Sequence, residues 1–279
     1  MSTRYDYVTV GHVTLDLIEG RPTGTVSQPG GGAFYSALQG ARLGLRTLIV
    51  TQGVPDQIEE LLAPYAMELD LRVIPAPHTT TLATSGGGLM RSQRVLAWAG
   101  PIGDALALDA SILHFAAVAR ETPKTWSGDA QLVCLTPQGL VRQWREGQET
   151  SLVPLDPATL PSRFDAAVIG ERERDSCEAL FETARRGGAT VAVTAGARPT
   201  TVYQADGRPV LQAEVRSTAS ARDDLGAGDV FAAAFFVALH EGRSAGEAAA
   251  FGNAAAALRV AGVGAQAVAR RVEIEAALG

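Results

Sequence analysis

Residues Arg222-Asp223-Asp224-Leu225-Gly226-Ala227-Gly228-Asp229 run directly into Val230-Phe231-Ala232-Ala233-Ala234-Phe235-Phe236-Val237-Ala238-Leu239-His240. A Gly-Ala-Gly turn opens an apolar helix, with a carboxylate where turn becomes helix. Glycines let a backbone approach a ligand closely. The first N–H groups of a helix lack internal acceptors, and the helix dipole adds about half a positive charge there. Phosphate is a natural guest for such a turn. Asp229 beside a bound phosphoryl group would suit a base that activates a hydroxyl. The plainer reading is a glycine helix start with Asp229 as its cap.

Working outward, the 279 residues are 46% hydrophobic and 19% charged, enough for a large core in one α/β unit. The net charge of −6 favours neither nucleic acid nor an anionic membrane as partner. Lys124 is the only lysine and sits in Pro123-Lys124-Thr125, so no Gly-Lys-Ser/Thr phosphate loop exists. Cys134 and Cys177 are far apart without metal-ligand spacing and read as reduced thiols. The start, Met1 to Tyr7, lacks a signal-peptide layout, and no apolar run of about 18 residues is free of charges or turns. The expectation is a soluble, cytoplasmic protein.

Short apolar strands are expected at Tyr7–Val10, Thr47–Thr51, Arg72–Pro75, Leu113–Ala116, Ala130–Leu135, Ala166–Ile169 and Thr190–Thr194. Helices are expected at Ala33–Leu43, Ile58–Glu68, Glu173–Arg186, 229–241 and 245–261. A late hairpin is expected around Asp206-Gly207, from Val202-Tyr203 and Val210–Val215. This alternation argues a mainly parallel three-layer sheet. Val13–Ile18, and a hairpin from Thr79–Thr84 through Gly86-Gly87-Gly88 to Arg91–Ala97, break the rhythm. They predict a small β lid at 13–29 and 79–98, with 1–12, 30–78 and 99–279 forming the main domain.

Asp223 to Asp229 resembles the C-terminal signature of the ribokinase (PfkB) sugar-kinase family, Asp-Thr-x-Gly-Ala-Gly-Asp. Further motifs follow in the family's order. Gly11 to Asp16 resembles its opening Gly-x-x-x-x-Asp. Gly30-Gly31 and Ala41-Arg42-Leu43-Gly44 resemble its Gly-Gly turn and helix end. Thr194-Ala195-Gly196-Ala197-Arg198 is similar to its Thr-x-Gly-x-Lys strand end. Asn253 to Ala257 and Gly262 to Ala265 resemble its nucleotide-side helix and loop. The resemblance implies a ribokinase-like fold and an ATP-dependent, Mg²⁺-assisted kinase of a polyhydroxylated small molecule: a sugar or related polyol, or a nucleoside. A catalytically degenerate binding regulator is the competing class.

In that frame Asp229 is the base, and the N–H groups of Gly226, Ala227 and Gly228 form the anion hole. Asp16, Thr14, Gly30, Gly31 and Tyr35 would meet the substrate; Thr194, Gly196 and Asn253 would meet the nucleotide. Glu173 would act at Mg²⁺, and Asp223 would help order a monovalent cation such as K⁺. Dimerisation would run through the lid. Each residue also has a plain role: Asp16 and Asp223 as turn carboxylates, Gly30 and Gly31 as a turn, and Glu173 as a helix first-turn residue. His12 lies near the expected site.

Departures from the family pattern cluster at this site. Tyr35 and Thr14 stand for substrate-side Asn residues, and Tyr35 could stack on a ring and hydrogen-bond through its hydroxyl. Gly170 replaces the Asn of Asn-x-x-Glu. Asp224 replaces the signature Thr, adding a carboxylate that would weaken phosphate binding unless it faces away or meets a cation, for which Arg222 is adjacent. The lid is loosely similar to that of inositol-type kinases, and its Arg91 or Arg94 could reach an anionic substrate or simply face solvent.

Overall fold

The structure, a computed structural model, describes residues 4–21, 24–87, 90–145, 147–204, 209–214 and 221–279. The expected features at Met1–Thr3, Gly88, Asp206-Gly207 and Val215 lie outside the described residues. In chain order the elements are β1 (Tyr5–Val10), β2 (Thr14–Arg21), β3 (Gly24–Gly30), α1 (Gly32–Arg42), β4 (Thr47–Gly53), α2 (Pro55–Leu62), β5 (Asp70–Pro75), β6 (Thr81–Ser85) and β7 (Ser92–Ala97). Then come β8 (Ala110–Ala116), β9 (Ala130–Thr136), β10 (Arg142–Gln143), β11 (Ser151–Leu152), β12 (Ala166–Gly170), α3 (Glu178–Gly187), β13 (Thr190–Ala195), β14 (Arg198–Tyr203), β15 (Pro209–Ala213), α4 (Ala227–His240), α5 (Ala245–Ala261) and α6 (Arg271–Leu278).

The large sheet runs β15-β14-β13-β12-β9-β8-β1-β4-β5. It is parallel from β13 to β5, with β14 and β15 antiparallel at one edge. A second sheet, β3-β2-β6-β7, pairs β2 parallel with β6 and is otherwise antiparallel. The chain is therefore α/β with a mainly parallel central sheet.

Alternate strand residues feed two cores, because successive side chains point to opposite faces. Tyr7, Ile49, Ile112 and Val168 join α1, α4, α5 and α6 on one face. Val8, Val10, Leu113, Val133 and Val191 join Leu180 and Ala184 of α3 on the other. That second layer contains less helix than the alternation predicts. The path from β8 to β12 carries Pro123, Pro137, Pro154, Pro157 and Pro161, which suppress helix, so short 3₁₀ turns and the β10–β11 ribbon fill it. Pro64 likewise ends α2 at Leu62, short of the expected Glu68. The expected helix at 173–186 begins as a 3₁₀ stretch, Glu171–Cys177, before α3. Among the described residues, no helix is long and apolar enough to cross a membrane.

Helix α4 governs the site. Val230 through Ala238 are all buried, so this helix is apolar on every side and wedged among α1, α5 and the sheet. Its N-terminus, carrying the half-buried Asp229, is thereby fixed in place beside α1.

Candidate active site

The turn entering α4 depends on Gly226, whose φ of 75° and ψ of 2° are left-handed. A Cβ there would overlap the Tyr35 ring, so the missing side chain is also a packing requirement. The N–H groups of Ala227, Gly228 and Asp229 lie in the helix's first turn and have no acceptor within the helix. Ala227 N leans on Asp224 O at 3.3 Å, closing the turn, and the helical ladder begins with Val230 N to Gly226 O at 2.9 Å. Gly228 faces open space.

Asp229 lies against α1: its Oδ1 would sit 2.9 Å from a Cβ at Gly32, and its carbonyl accepts Ser36 Oγ at 3.2 Å. Burial pushes its carboxyl up to about 6; Arg142 and Arg91 pull it down, and the charge of Asp16 pushes it further up. Asp16, on β2, is 2% exposed. Burial raises its carboxyl to about 6 as well, against a 2.6 Å hydrogen bond from Thr14 Oγ1 and the charges of Arg142 and Arg91. Gly30, paired with Thr14 across β2–β3, leaves the space that the Asp16 carboxylate fills. Gly31 is the residue before α1.

Arg142 is a site residue that motif reading missed. It lies on the two-residue β10, donates to Val118 O at 3.0 Å and Gln93 Oε1 at 2.8 Å, and feels Glu173, Asp229, Glu121 and Asp16. Burial lowers its guanidinium pKa, and those carboxylates oppose that shift. Glu121, also missed, is fully buried and accepts N–H groups from His12, Val118 and Ala119. It ties the end of β1 to the segment after β8. His12 donates that backbone N–H, and its Nδ1 meets Thr80 Oγ1 at 2.8 Å.

Two arginine–aspartate pairs bracket the loop. Arg91, from the segment leading into β7, pairs with Asp224, whereas the sequence pointed to the adjacent Arg222. The pair spans from the small sheet to the α4 turn, across a cleft of about 350 Å³ lined by Ile18, Thr84, Gly87, Arg91, Arg222 and Asp224. Arg94 pairs instead with Glu19 at 2.6 Å. On the inner side, Arg259 of α5 is fully buried and reaches Asp223 Oδ2 and Asp223 O, both at 3.1 Å. Burial opposes ionisation of Asp223, but N–H groups of Gly264 and Leu225, with Arg259, hold its pKa below the ordinary value.

Tyr35 does not open on the cleft. It is 1% exposed, packed under Gly226, with the Arg259 guanidinium 5.4 Å from its ring centre. Burial pushes its hydroxyl up to about 12 against the pull of the nearby Arg259 guanidinium, and the oxygen makes no well-formed hydrogen bond among the described residues. Tyr35 thus supports the loop from behind. Tyr35→Phe is expected to leave the melting temperature unchanged or slightly raised, because an unsatisfied buried hydroxyl costs about 1–3 kcal/mol. A rise in KM for an acceptor without a stability change would instead assign the hydroxyl to substrate.

Glu173 folds back over Gly170, where the Asn side chain of the family pattern would collide with it, and accepts Gln138 Nε2 at 3.3 Å. Thr194 donates to Ile169 O at 3.3 Å, and Gly196 is open to solvent. Asn253 is 5% exposed and committed to structure: it accepts Thr200 Oγ1 at 2.8 Å and donates to Ala213 O and Glu214 O.

Among the described residues, no three His, Cys, Asp or Glu side chains converge to hold a metal. A Mg²⁺ at Glu173 would therefore rest mainly on donor phosphates, its usual partners. Asp223 does not fit a loose monovalent cation, since its carboxylate and carbonyl oxygens are already engaged.

These features define a ribokinase-like fold: a mainly parallel sheet, a small second sheet beside it, and a Gly-Ala-Gly-Asp turn opening a buried helix. Residues 159–271 match the family model for pfkB family carbohydrate kinase, a span holding the turn, Glu173 and Asn253. Among solved structures, a pyrophosphate-dependent kinase in the ribokinase family, as a sulfate complex, aligns with TM-score 0.76 and 21% identity over 97% of this chain and 99% of that one. Ribokinase from Arabidopsis thaliana, with ribose and ATP, aligns at 0.73 and 20% over 99% of both chains. A nucleoside kinase from Methanocaldococcus jannaschii aligns at 0.69 and 17% over 99% of this chain and 98% of that one. At these identities the structural likeness carries the fold. No curated protein matches significantly.

Proposed function

We propose that the protein is a kinase that transfers a phosphoryl group to a hydroxyl of a sugar or related polyol. The observation that carries this reading is electrostatic. The charge of Asp16 acts on Asp229, and both carboxylates feel the guanidiniums of Arg142 and Arg91. Carboxylates suit a hydroxylic acceptor, and guanidiniums suit the transferring phosphoryl group.

Asp229 takes the proton of the attacking hydroxyl, an effect worth about 10²–10⁴-fold. N–H groups of Gly226 and Gly228, with that of Ala227 once it leaves Asp224 O, meet the phosphoryl oxygens, such a donor being worth about 3–4 kcal/mol. Asp16 orients the acceptor while Thr14 orients Asp16. Bound Mg²⁺ would neutralise donor phosphate charge. The donor is ATP in this reading; pyrophosphate, the donor of one structural neighbour, is the alternative.

The test is product detection by mass spectrometry, with ATP and pyrophosphate as separate donor arms and sugars, inositols and nucleosides as acceptors. Phosphorylated sugar or inositol is the expected product. Ligand binding without transfer from either donor would favour the regulator reading. Because Asp229 must be ionised to act, kcat/KM should rise with pH through about 6 and level above it. A profile flat from pH 5 to 8 would remove Asp229 as the base.

A further inference from the structure

We propose that Arg259 is a built-in monovalent cation for the loop at 223–229, so that the loop is ordered without potassium or ammonium. The inference concerns the loop used in the kinase reading and rests on that reading only for its catalytic meaning. The geometry stands on its own. An alkali cation would need the oxygens of Asp223, yet Oδ1 receives Leu225 N–H at 3.1 Å and Oδ2 receives Gly264 N–H at 2.9 Å and Arg259 Nη2 at 3.1 Å. Arg259 Nη1 takes the Asp223 carbonyl at 3.1 Å. One guanidinium thus holds both kinds of oxygen such an ion would use.

The surroundings hold the side chain in place. Arg259 sits in the last turn of α5, where the helix dipole favours positive charge. Glu247 is the only other charged residue of that alanine-rich helix. The Tyr35 ring closes the other side of the guanidinium, and Val260 O accepts Arg222 N at 2.7 Å, binding the helix end to the start of the loop. A guanidinium stays charged at every working pH. A loose cation could enter only by displacing this one into a fully buried position beside it, which is strongly unfavourable. Arg259 is accordingly a positioning residue: it fixes Asp223, and Asp223 fixes Leu225 and the turn.

The test is thermal melting of the full chain without donor or acceptor, at equal ionic strength in KCl, NH₄Cl, NaCl or tetramethylammonium chloride. The natural protein should melt within about 1 °C in all four salts, because only a bound ion adds stability by mass action. Arg259→Ala should melt at least about 5 °C lower in tetramethylammonium chloride, as expected for an uncompensated buried charge in a chain of this size. Millimolar guanidinium or potassium should recover part of that loss. A potassium-specific rise in the natural protein would overturn the proposal. So would an Arg259→Ala protein as stable as the natural one, or a loss that no cation recovers, since simple packing would then account for Arg259. If Arg259→Ala does not fold, Arg259→Lys decides: it keeps the charge without the fork and should melt at an intermediate temperature independent of the salt cation. A failed kinase assay leaves these melts standing, and a potassium-dependent melt leaves the kinase reading standing.

Discussion

Asp229→Asn is expected to abolish phosphoryl transfer while making the protein more stable at neutral pH. The activity loss follows from removing the base, about 10²–10⁴-fold, since an amide cannot take the acceptor's proton. The stability gain follows from the raised pKa. An unfolded aspartate titrates near 3.9, and the folded one near 6. The folded state therefore binds the extra proton between about pH 4 and 6. The stability linked to that proton is fully present below about pH 4 and is lost as pH rises through 6. Above 6 the ionised carboxylate is a standing cost, on the order of 1–3 kcal/mol, that the neutral amide does not carry. Asp229→Asn should then melt a few degrees higher at pH 7.5, with the gap closing toward pH 4.5. Because the charge of Asp16 raises Asp229, the acid limb moves with the protonation of Asp16. Near-normal kcat in the variant would remove Asp229 from the chemistry. Equal melting at all pH values would remove the electrostatic account of the site.

Gly226→Ala should damage both fold and activity, and its neighbour Gly228→Ala only activity. At Gly226 an alanine takes on a left-handed backbone, about 1–2 kcal/mol, and thrusts a methyl into the Tyr35 ring, an overpacking cost of about 1–3 kcal/mol. Tyr35→Ala added to Gly226→Ala should recover the steric part and not the backbone part, giving a measurable coupling in a double-mutant cycle. At Gly228 the added methyl meets nothing within 4 Å, so the melting temperature should hold or rise. That open space is where the phosphoryl group would sit in the proposed reaction. A folded Gly228→Ala protein with depressed turnover would map the ligand; undiminished turnover would move the phosphoryl group elsewhere.

The sequence disclosed the sheet through short apolar runs, and it disclosed the α4 turn because glycine, carboxylate and apolar helix are contiguous there. Its gaps have physical causes. The strand–helix rhythm failed between β8 and β12, where prolines prevent helix without abolishing the strands. Arg142 lies on a ribbon of two residues, too short to carry periodicity, and acts through contacts more than 80 positions distant in the chain from Asp229. Arg259 had a visible signal, a lone cation in an alanine-rich helix, whose meaning needed the packing of α5 against the loop. Tyr35 resembles a substrate-facing position by its motif, but its ring packs beneath Gly226. Asp224 seemed to need its neighbour Arg222, and the chain supplies Arg91 from the other sheet.

That last pair gives the cleft an unusual starting condition. Arg91 already holds an anion, the carboxylate of Asp224. A phosphate arriving there does not fall into an empty positive well; it competes with a rival the chain carries for itself. In the proposed reaction, association would be an exchange of one negative partner for another. The residue that looked like a blemish in a phosphate motif is thus, in the proposed reaction, a resident competitor for Arg91.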